Sequence, residues 1–392
     1  MLARSQMPEL RMSYPSPIEW CDATWNPIGG CSIRSAGCAP CYAQQLAGTR
    51  LVKHPLYAGT TTAMKGKPVF NGHLTALPFD HPTWTWPLKW RGASSPRLGV
   101  GRPSLIFVGD MSDLFHKARP LGYAMRIWMT AYRIEGRHIL QLLTKRPDVM
   151  LDFVRRWHDV EPEDLGPSMA HGPDAVRAAH TSGRARLFAD YLDTMGAPPA
   201  GAAFPTYDWM EGPRWWPDRP SNVWLGFSAE RQAEFDARWP AMRELAALGY
   251  TIFLSYEPAI GPLDLPRDFL ALGRRAQVIA GGMSGRDADA AHPDWFRVVR
   301  DQCLGAGLPF LFKQWGEWGP GAEFKAELSA RRTYRGEILT LDRPHAPLVK
   351  LAIPTRDDDL LGPALTLERH GKRIAGRLLD GRQYDGFPGA RT

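Results

Sequence analysis

Cys31, Cys38 and Cys41 fall within eleven residues of one another, and the only other cysteines of the chain are Cys21 and Cys303. Thiolates spaced this closely can converge on one inorganic centre. Three of them are one short of the set that closes an iron–sulfur cube, which leaves one iron open to a cofactor or substrate. An open coordination position marks a catalytic rather than a structural metal. Two other readings fit the same residues. Cys21 could add a fourth thiolate, giving a closed zinc site, or the cysteines could be buried thiols with no metal.

Such a centre needs a frame, and the chain alternates short apolar runs with amphipathic stretches. Strands are expected over Ala23–Asn26, Ser104–Gly109, His138–Thr144, Asn222–Phe227, Thr251–Ser255, Gln277–Gly281 and Leu308–Phe312. These runs are apolar on both faces, as in a buried parallel sheet. Helices are expected between them, over Cys41–Lys53, Leu121–Ile134, Pro147–Trp157, Gln232–Leu248 and Asp294–Gly305. This alternation predicts α/β architecture, a partial or closed (β/α) barrel, with an open doubly wound sheet as the alternative.

In such barrels the chemistry sits at the C-terminal ends of the strands. Reading past each strand gives Asp110 and Ser112, then Lys145 and Arg146, then Ser228, Glu257 and Lys313. Mixed charges of this kind suit a zwitterionic ligand with a polar head. Lys145 or Arg146 could hold a carboxylate, and Asp110 or Glu257 could accept from an amine or from ribose hydroxyls. Lys145 and Glu257 are the candidates for catalytic contacts. Lys145 or Arg146 could instead pair with Asp110 or Glu257 in the barrel mouth. The glycines of Gly281-Gly282-Met283-Ser284-Gly285 permit close backbone approach, but the spacing is not a dinucleotide fingerprint. His116, His138 and Cys303 read as core or loop residues.

Composition narrows the partners. The 392 residues are 44% hydrophobic, with 48 Lys and Arg against 41 Asp and Glu, a net charge of +7. That excess favours polyanions such as DNA, RNA or a nucleotide. Trp84, Trp86, Trp90, Trp215 and Trp216 are expected in loops beside Pro and Arg, where they could stack on bases or simply pack loops onto the barrel. No run is long enough to span a bilayer and the N-terminus lacks a secretory pattern, so a cytoplasmic protein without a membrane partner is expected.

Residues 1–320 are expected to form the barrel, with 158–220 as an insertion carrying one helix over Asp174–Leu192. Residues 321–392 are expected to form a small C-terminal β extension. Thr333–Leu341 and Ile374–Tyr384 read as β-like pieces there, with Asp380-Gly381 at a hairpin bend.

One resemblance adds to these readings. The stretches Ile18-Glu19-Trp20, Ala23-Thr24-Trp25-Asn26-Pro27, Gly30-Cys31 and Gly37-Cys38, with Cys41-Tyr42-Ala43, resemble a phage-associated family of unknown function with a three-cysteine motif. So do Met111-Ser112-Asp113-Leu114-Phe115-His116, Leu143-Thr144-Lys145-Arg146-Pro147, Val223-Trp224-Leu225-Gly226, Glu257-Pro258, His292-Pro293-Asp294-Trp295 and Phe312-Lys313-Gln314-Trp315-Gly316-Glu317-Trp318. That family in turn resembles the radical S-adenosylmethionine superfamily and, more distantly, its spore photoproduct lyase branch. The resemblance implies a 4Fe-4S cluster on Cys31, Cys38 and Cys41, with S-adenosylmethionine on the open iron and reductive cleavage to a radical that abstracts hydrogen. It also implies repair or modification of nucleic acid in a phage or mobile-element setting, and a separate three-cysteine-motif partner protein. The chain departs from the superfamily pattern in having six residues between its first two cysteines, and in placing Tyr42 after the third cysteine.

Overall fold

The computed structural model describes residues 13–92, 94–160, 174, 181–196, 219–320, 348–351, 365–369 and 371–389. The first strand, β1 (Ala23–Trp25), precedes the short β2 (Ile28–Gly29), the helix α1 (Tyr42–Gly48), the pair β3 (Thr61–Met64) and β4 (Lys67–Phe70), and β5 (Thr75–Ala76). Then come α2 (Pro82–Lys89), β6 (Ser104–Val108), α3 (Gly122–Arg133), β7 (His138–Thr144), α4 (Pro147–His158) and α5 (Gly183–Met195). The remainder runs β8 (Val223–Ser228), α6 (Gln232–Ala247), β9 (Thr251–Tyr256), α7 (Arg267–Leu270), β10 (Ala276–Gly281), α8 (Pro293–Gly305) and β11 (Phe310–Gln314). Three C-terminal strands follow, β12 (Trp318–Pro320), β13 (Leu348–Leu351) and β14 (Leu365–Arg369), with the short helix α9 (Lys372–Ala375).

The principal sheet has seven strands in the order β1-β6-β7-β8-β9-β10-β11. The pairings β1–β6, β6–β7, β9–β10 and β10–β11 are parallel, with Trp25 opposite Val108, Ser104 opposite His138 and Val278 opposite Phe310. The order rises along the chain without reversal, which rules out the doubly wound sheet. β1 and β11 end the sheet, so the architecture is a partial (β/α) barrel rather than a closed one. Every residue of β6, β8 and β10 is buried, as expected where both faces are covered.

The chain divides into two compact units. The first comprises Met1–Ile33, Ala43–Leu225 and Ala247–Tyr250; the second comprises Arg34–Tyr42, Gly226–Ala246 and Thr251–Thr392. In the first, Trp128 of α3 is fully buried and makes edge contacts with Phe153 and Trp157 of α4. In the second, Phe296 of α8 packs edge-on against Phe312 of β11. There too, β12 and β13 flank β14 in an antiparallel sheet.

Several expectations are corrected. α1 stops at Gly48, where a side chain would strike Pro68, instead of continuing to Lys53. β11 extends two residues further than expected, so Lys313 lies inside it. Ile374–Tyr384 is β-like only in part: it opens in α9, continues into a tight turn, and its Tyr384 carbonyl accepts from the Phe312 N–H of β11. In that turn Asp380 and Gly381 have φ of 53° and 73°, and Leu379 bridges Arg382. Two successive positive φ values are what a primed hairpin turn requires, and Asp-Gly supplies them at low cost. Asp174 is helical, but Thr181 and Ser182 are not, and a helix over 183–195 starts afresh at Ser182, whose hydroxyl caps the Ala185 N–H. Thr333–Leu341, Trp215 and Trp216 lie outside the described residues. Among the described residues no helix is long and apolar enough to cross a membrane.

Candidate functional site

Of the strand-end residues, Asp110, Ser112, Lys145, Arg146 and Glu257 follow their strands as expected, whereas Ser228 and Lys313 lie inside theirs. Asp110 and Ser112 follow β6, Lys145 and Arg146 follow β7, Ser228 ends β8, Glu257 follows β9, and Lys313 is the penultimate residue of β11. The cysteine motif is divided between the units: Cys31 belongs to the first, Cys38 and Cys41 to the second. The five cysteines form no disulfide.

In the first unit the backbone before Cys31 is held by a glycine. Gly30 has φ of +84°, and a Cβ there would come 2.1 Å from the His73 carbonyl oxygen. Gly30 also bridges Ser112 in parallel fashion. Only glycine meets both demands. The loop is then tied by Arg146, which is 4% exposed. Its Nη1 donates to Asp113 Oδ2 at 2.6 Å and lies 3.9 Å from Cys31 Sγ. Its Nη2 donates to Ser32 Oγ at 2.9 Å and to the Ser32 carbonyl at 3.2 Å. Asp113 Oδ1 accepts from Thr144 Oγ1 at 2.7 Å, and Ser32 Oγ is 2.7 Å from His116 Nε2.

Burial alone would lower the Arg146 pKa, but Asp113 and Cys31 outweigh it and the guanidinium is held above its ordinary value. Burial, and then the Arg146 charge, push His116 below the usual imidazole range. Arg119 is lowered to about 10 by burial and donates to the carbonyls of Gly29 and Thr75 at 2.7 and 3.0 Å. Asp110 accepts a hydrogen bond from Asn26 Nδ2. Lys145 is half-buried.

In the second unit a 3₁₀ turn, Ala36–Cys38, carries the middle cysteine. Cys38 Sγ accepts from the Arg34 N–H at 3.4 Å. Ser35 sits at the N-cap yet its side chain makes no cap hydrogen bond. It donates instead to Glu230 Oε1 at 2.6 Å. Glu230 is fully buried and pairs with Arg238 at 3.1 Å, and Arg238 also donates to the Ser228 carbonyl at 2.6 Å. Separately, Lys313 Nζ is 3.3 Å from Glu257, whose Oε1 occupies the space a Gly281 side chain would need. Gln314 Nε2 donates to Ser284 at 3.0 Å.

Cys21 is placed apart from this chemistry. It is fully buried, its thiol lies 3.3 Å from Ser16 Oγ, and burial pushes it up to about 12. By contrast Cys31, Cys38 and Cys41 are all partly exposed. A guanidinium stands beside Cys31 and a backbone N–H donates to Cys38, contacts that suit sulfur donors at these two positions. Among the described residues no three His, Cys, Asp or Glu side chains already stand as a metal-holding group.

Ser32, Ser35, Thr144 and Arg238 were not among the expected site residues. The available signal was local: two serines inside the cysteine loop, and an acid or hydroxyl beside each strand end. Trp84 and Trp86 lie in α2 rather than in a loop; Trp84 is fully buried, and Trp90 stacks on His138.

The family model described as "Protein of unknown function (DUF5131)" matches residues 15–388. No curated protein matches the chain. Among solved structures, a spore photoproduct lyase bearing a cysteine-to-serine substitution is similar at 11% identity and a TM-score of 0.35, covering 76% of this chain and 65% of that one. Spore photoproduct lyase complexed with dinucleoside spore photoproduct is similar at 12% identity and a TM-score of 0.35, covering 75% and 64%. The chain thus spans just under two thirds of the length of either.

Proposed function

We propose that this chain, which belongs to the family of unknown function DUF5131, is an iron–sulfur enzyme of the radical S-adenosylmethionine type. In this reading Cys31, Cys38 and Cys41 hold a 4Fe-4S cluster and S-adenosylmethionine takes its open position. The substrate is a nucleic acid or nucleotide, in keeping with the net charge of +7. The observation that carries the reading is the contrast among the thiols: Cys31, Cys38 and Cys41 are partly exposed, with Arg146 beside Cys31 and the Arg34 N–H on Cys38, while Cys21 and Cys303 are buried.

When bound, such a centre supplies one-electron chemistry at its open iron. The protein's own residues hold and orient. Arg146 keeps a positive charge beside Cys31 and fixes the Ser32 backbone. Lys145 offers a point charge at the end of β7 for a carboxylate, and Asp110 and Ser112 offer acceptors at the end of β6. The Glu257–Lys313 pair, beside the close backbone of Gly281, would bind a polar head without a net local charge. Ser228 contributes through its carbonyl, which orients Arg238. A partner carrying its own three-cysteine motif, in a phage or mobile-element setting, belongs to the same proposal.

The test is iron and sulfide analysis with a visible spectrum on anaerobically prepared protein, beside Cys31→Ala and Cys21→Ala variants. About four irons, lost in Cys31→Ala and kept in Cys21→Ala, with S-adenosylmethionine cleaved under reducing conditions, is the expected result. One zinc that depends on Cys21 would overturn it and favour a nucleic-acid-binding protein with a structural metal site.

A further inference from the structure

The serine ahead of the middle cysteine does not do what an N-cap serine ordinarily does. At that position the side-chain oxygen usually accepts from an N–H of the first turn. Ser35 instead donates its hydroxyl to Glu230 at 2.6 Å. The acceptor is a fully buried carboxyl that also takes Arg238 at 3.1 Å. Removing a side chain from position 37 is part of the same arrangement: a Cβ on Gly37 would lie 2.4 Å from Glu230 Cγ. The 3₁₀ turn therefore lies directly on the Glu230 side chain. The turn's own hydrogen bonds are few, Cys38 N–H to Ser35 O at 3.0 Å and Ala39 N–H to Ala36 O at 3.0 Å. A turn this short has little intrinsic stability, so what fixes it must come from outside.

We propose that Glu230 is a positioning residue, which clamps the Ser35–Cys41 segment through Ser35 and the bare face of Gly37 and so sets how Cys38 and Cys41 are presented for ligation. The ligation half rests on the iron–sulfur reading above. The clamp itself does not. Glu230 acts through the loop: Ser35 Oγ, which donates to it, also lies 3.9 Å from Cys38 Sγ. Arg238 compensates the buried carboxyl and is itself anchored on the Ser228 carbonyl at the end of β8. The loop conformation is thereby coupled to a strand of the principal sheet.

The experiment uses the full chain in four forms: unaltered, Glu230→Gln, Ser35→Ala and Ser35→Thr. Amide hydrogen exchange is followed in peptides covering 35–41 and, as an internal reference, in β9. Iron per chain is measured after anaerobic reconstitution. Ser35→Ala leaves the Glu230–Arg238 pair intact and so decides the matter if Glu230→Gln does not fold.

Exchange over 35–41 should quicken on the order of tenfold in Glu230→Gln and Ser35→Ala, the effect of losing one hydrogen bond to a charged group. β9 should be unchanged, and Ser35→Thr, which keeps the hydroxyl, should restore protection. Iron content should fall in the first two variants, with the unfolding temperature of Ser35→Ala lowered by only about 2–4 °C. Equal exchange over 35–41 in all four forms overturns the clamp. Should the unaltered protein take up no iron, the iron–sulfur reading fails while exchange still decides the clamp. Faster exchange with iron fully retained overturns the ligation half alone.

Discussion

Arg146 places a single guanidinium nitrogen, Nη1, 2.6 Å from the Asp113 carboxylate and 3.9 Å from the sulfur of Cys31. The carboxylate fixes the cation, and the cation faces the first thiol of the motif. The pair is buried, with side-chain exposures of 5% and 6%. Breaking a buried pair leaves an uncompensated charge, which costs about 3–5 kcal/mol. Arg146→Met should therefore lower stability to urea by about 3 kcal/mol or more. Arg146→Met combined with Asp113→Leu should recover part of that loss, because no lone charge remains. Equal losses in the single and double variants would show that the pair does not stabilise the fold.

Thiol reactivity should separate the five cysteines into two classes. Burial pushes Cys21 up to about 12 and raises Cys303 further still. Under native conditions at pH 8, a pulse of iodoacetamide should label Cys31, Cys38 and Cys41, all partly exposed, and leave Cys21 and Cys303 unmodified until the protein is unfolded. Peptide mass spectrometry reads this directly, and early labelling of Cys21 would contradict its place in the core.

Stability should fall as the solution is acidified from pH 7 to 5. His138 and His292 are both fully buried, and burial is the main cause holding each below the ordinary imidazole value of 6.5. A histidine lowered in the folded state stays neutral there while the unfolded chain takes up the proton. Its stabilising effect is present above pH 6.5 and is lost as the pH falls towards the folded value. Each such histidine contributes a slope approaching 1.4 kcal/mol per pH unit, at about 25 °C. Urea midpoints across that range should show the decline, and His138→Gln should flatten it. A profile unaffected by His138→Gln would remove this residue from the account.

The C-terminal turn should depend on one carboxylate. Asp380 accepts from Arg297 Nη2 at 2.8 Å and from Arg300 Nη1 at 2.5 Å, so both arginines of α8 hold the turn. Asp380→Asn keeps a residue tolerant of positive φ but removes the charge. The loss should be about 2 kcal/mol, and limited trypsin digestion should cut sooner at Arg377 or Arg382.

Much of the frame was legible along the chain. Apolar runs such as Ser104–Val108 and Val223–Ser228 are buried at every position, and a buried parallel strand has no polar face to disguise it. His138–Thr144 has the boundaries its composition predicts. The Asp380-Gly381 bend follows from local backbone preference, and the crowding of Cys31, Cys38 and Cys41 follows from spacing alone. The lapses fell on short pieces, such as β2 and β5, two residues each, which owe their form to pairing with distant chain.

What holds the cysteine loop was decided by tertiary structure. Nothing local distinguishes Arg146 from Lys145, yet Arg146 is buried on Asp113 and Ser32 while Lys145 is half-buried. Nothing local ties Ser35 to Glu230, 195 residues away. Hydrogen bonds and ion pairs between distant residues depend on a few ångströms of placement, which strand order and register supply and residue types do not. The sequence by itself determined the strands, their α/β alternation and the thiol spacing, because those rest on local patterning. Which acids and bases face the thiols was settled only when the chain was packed.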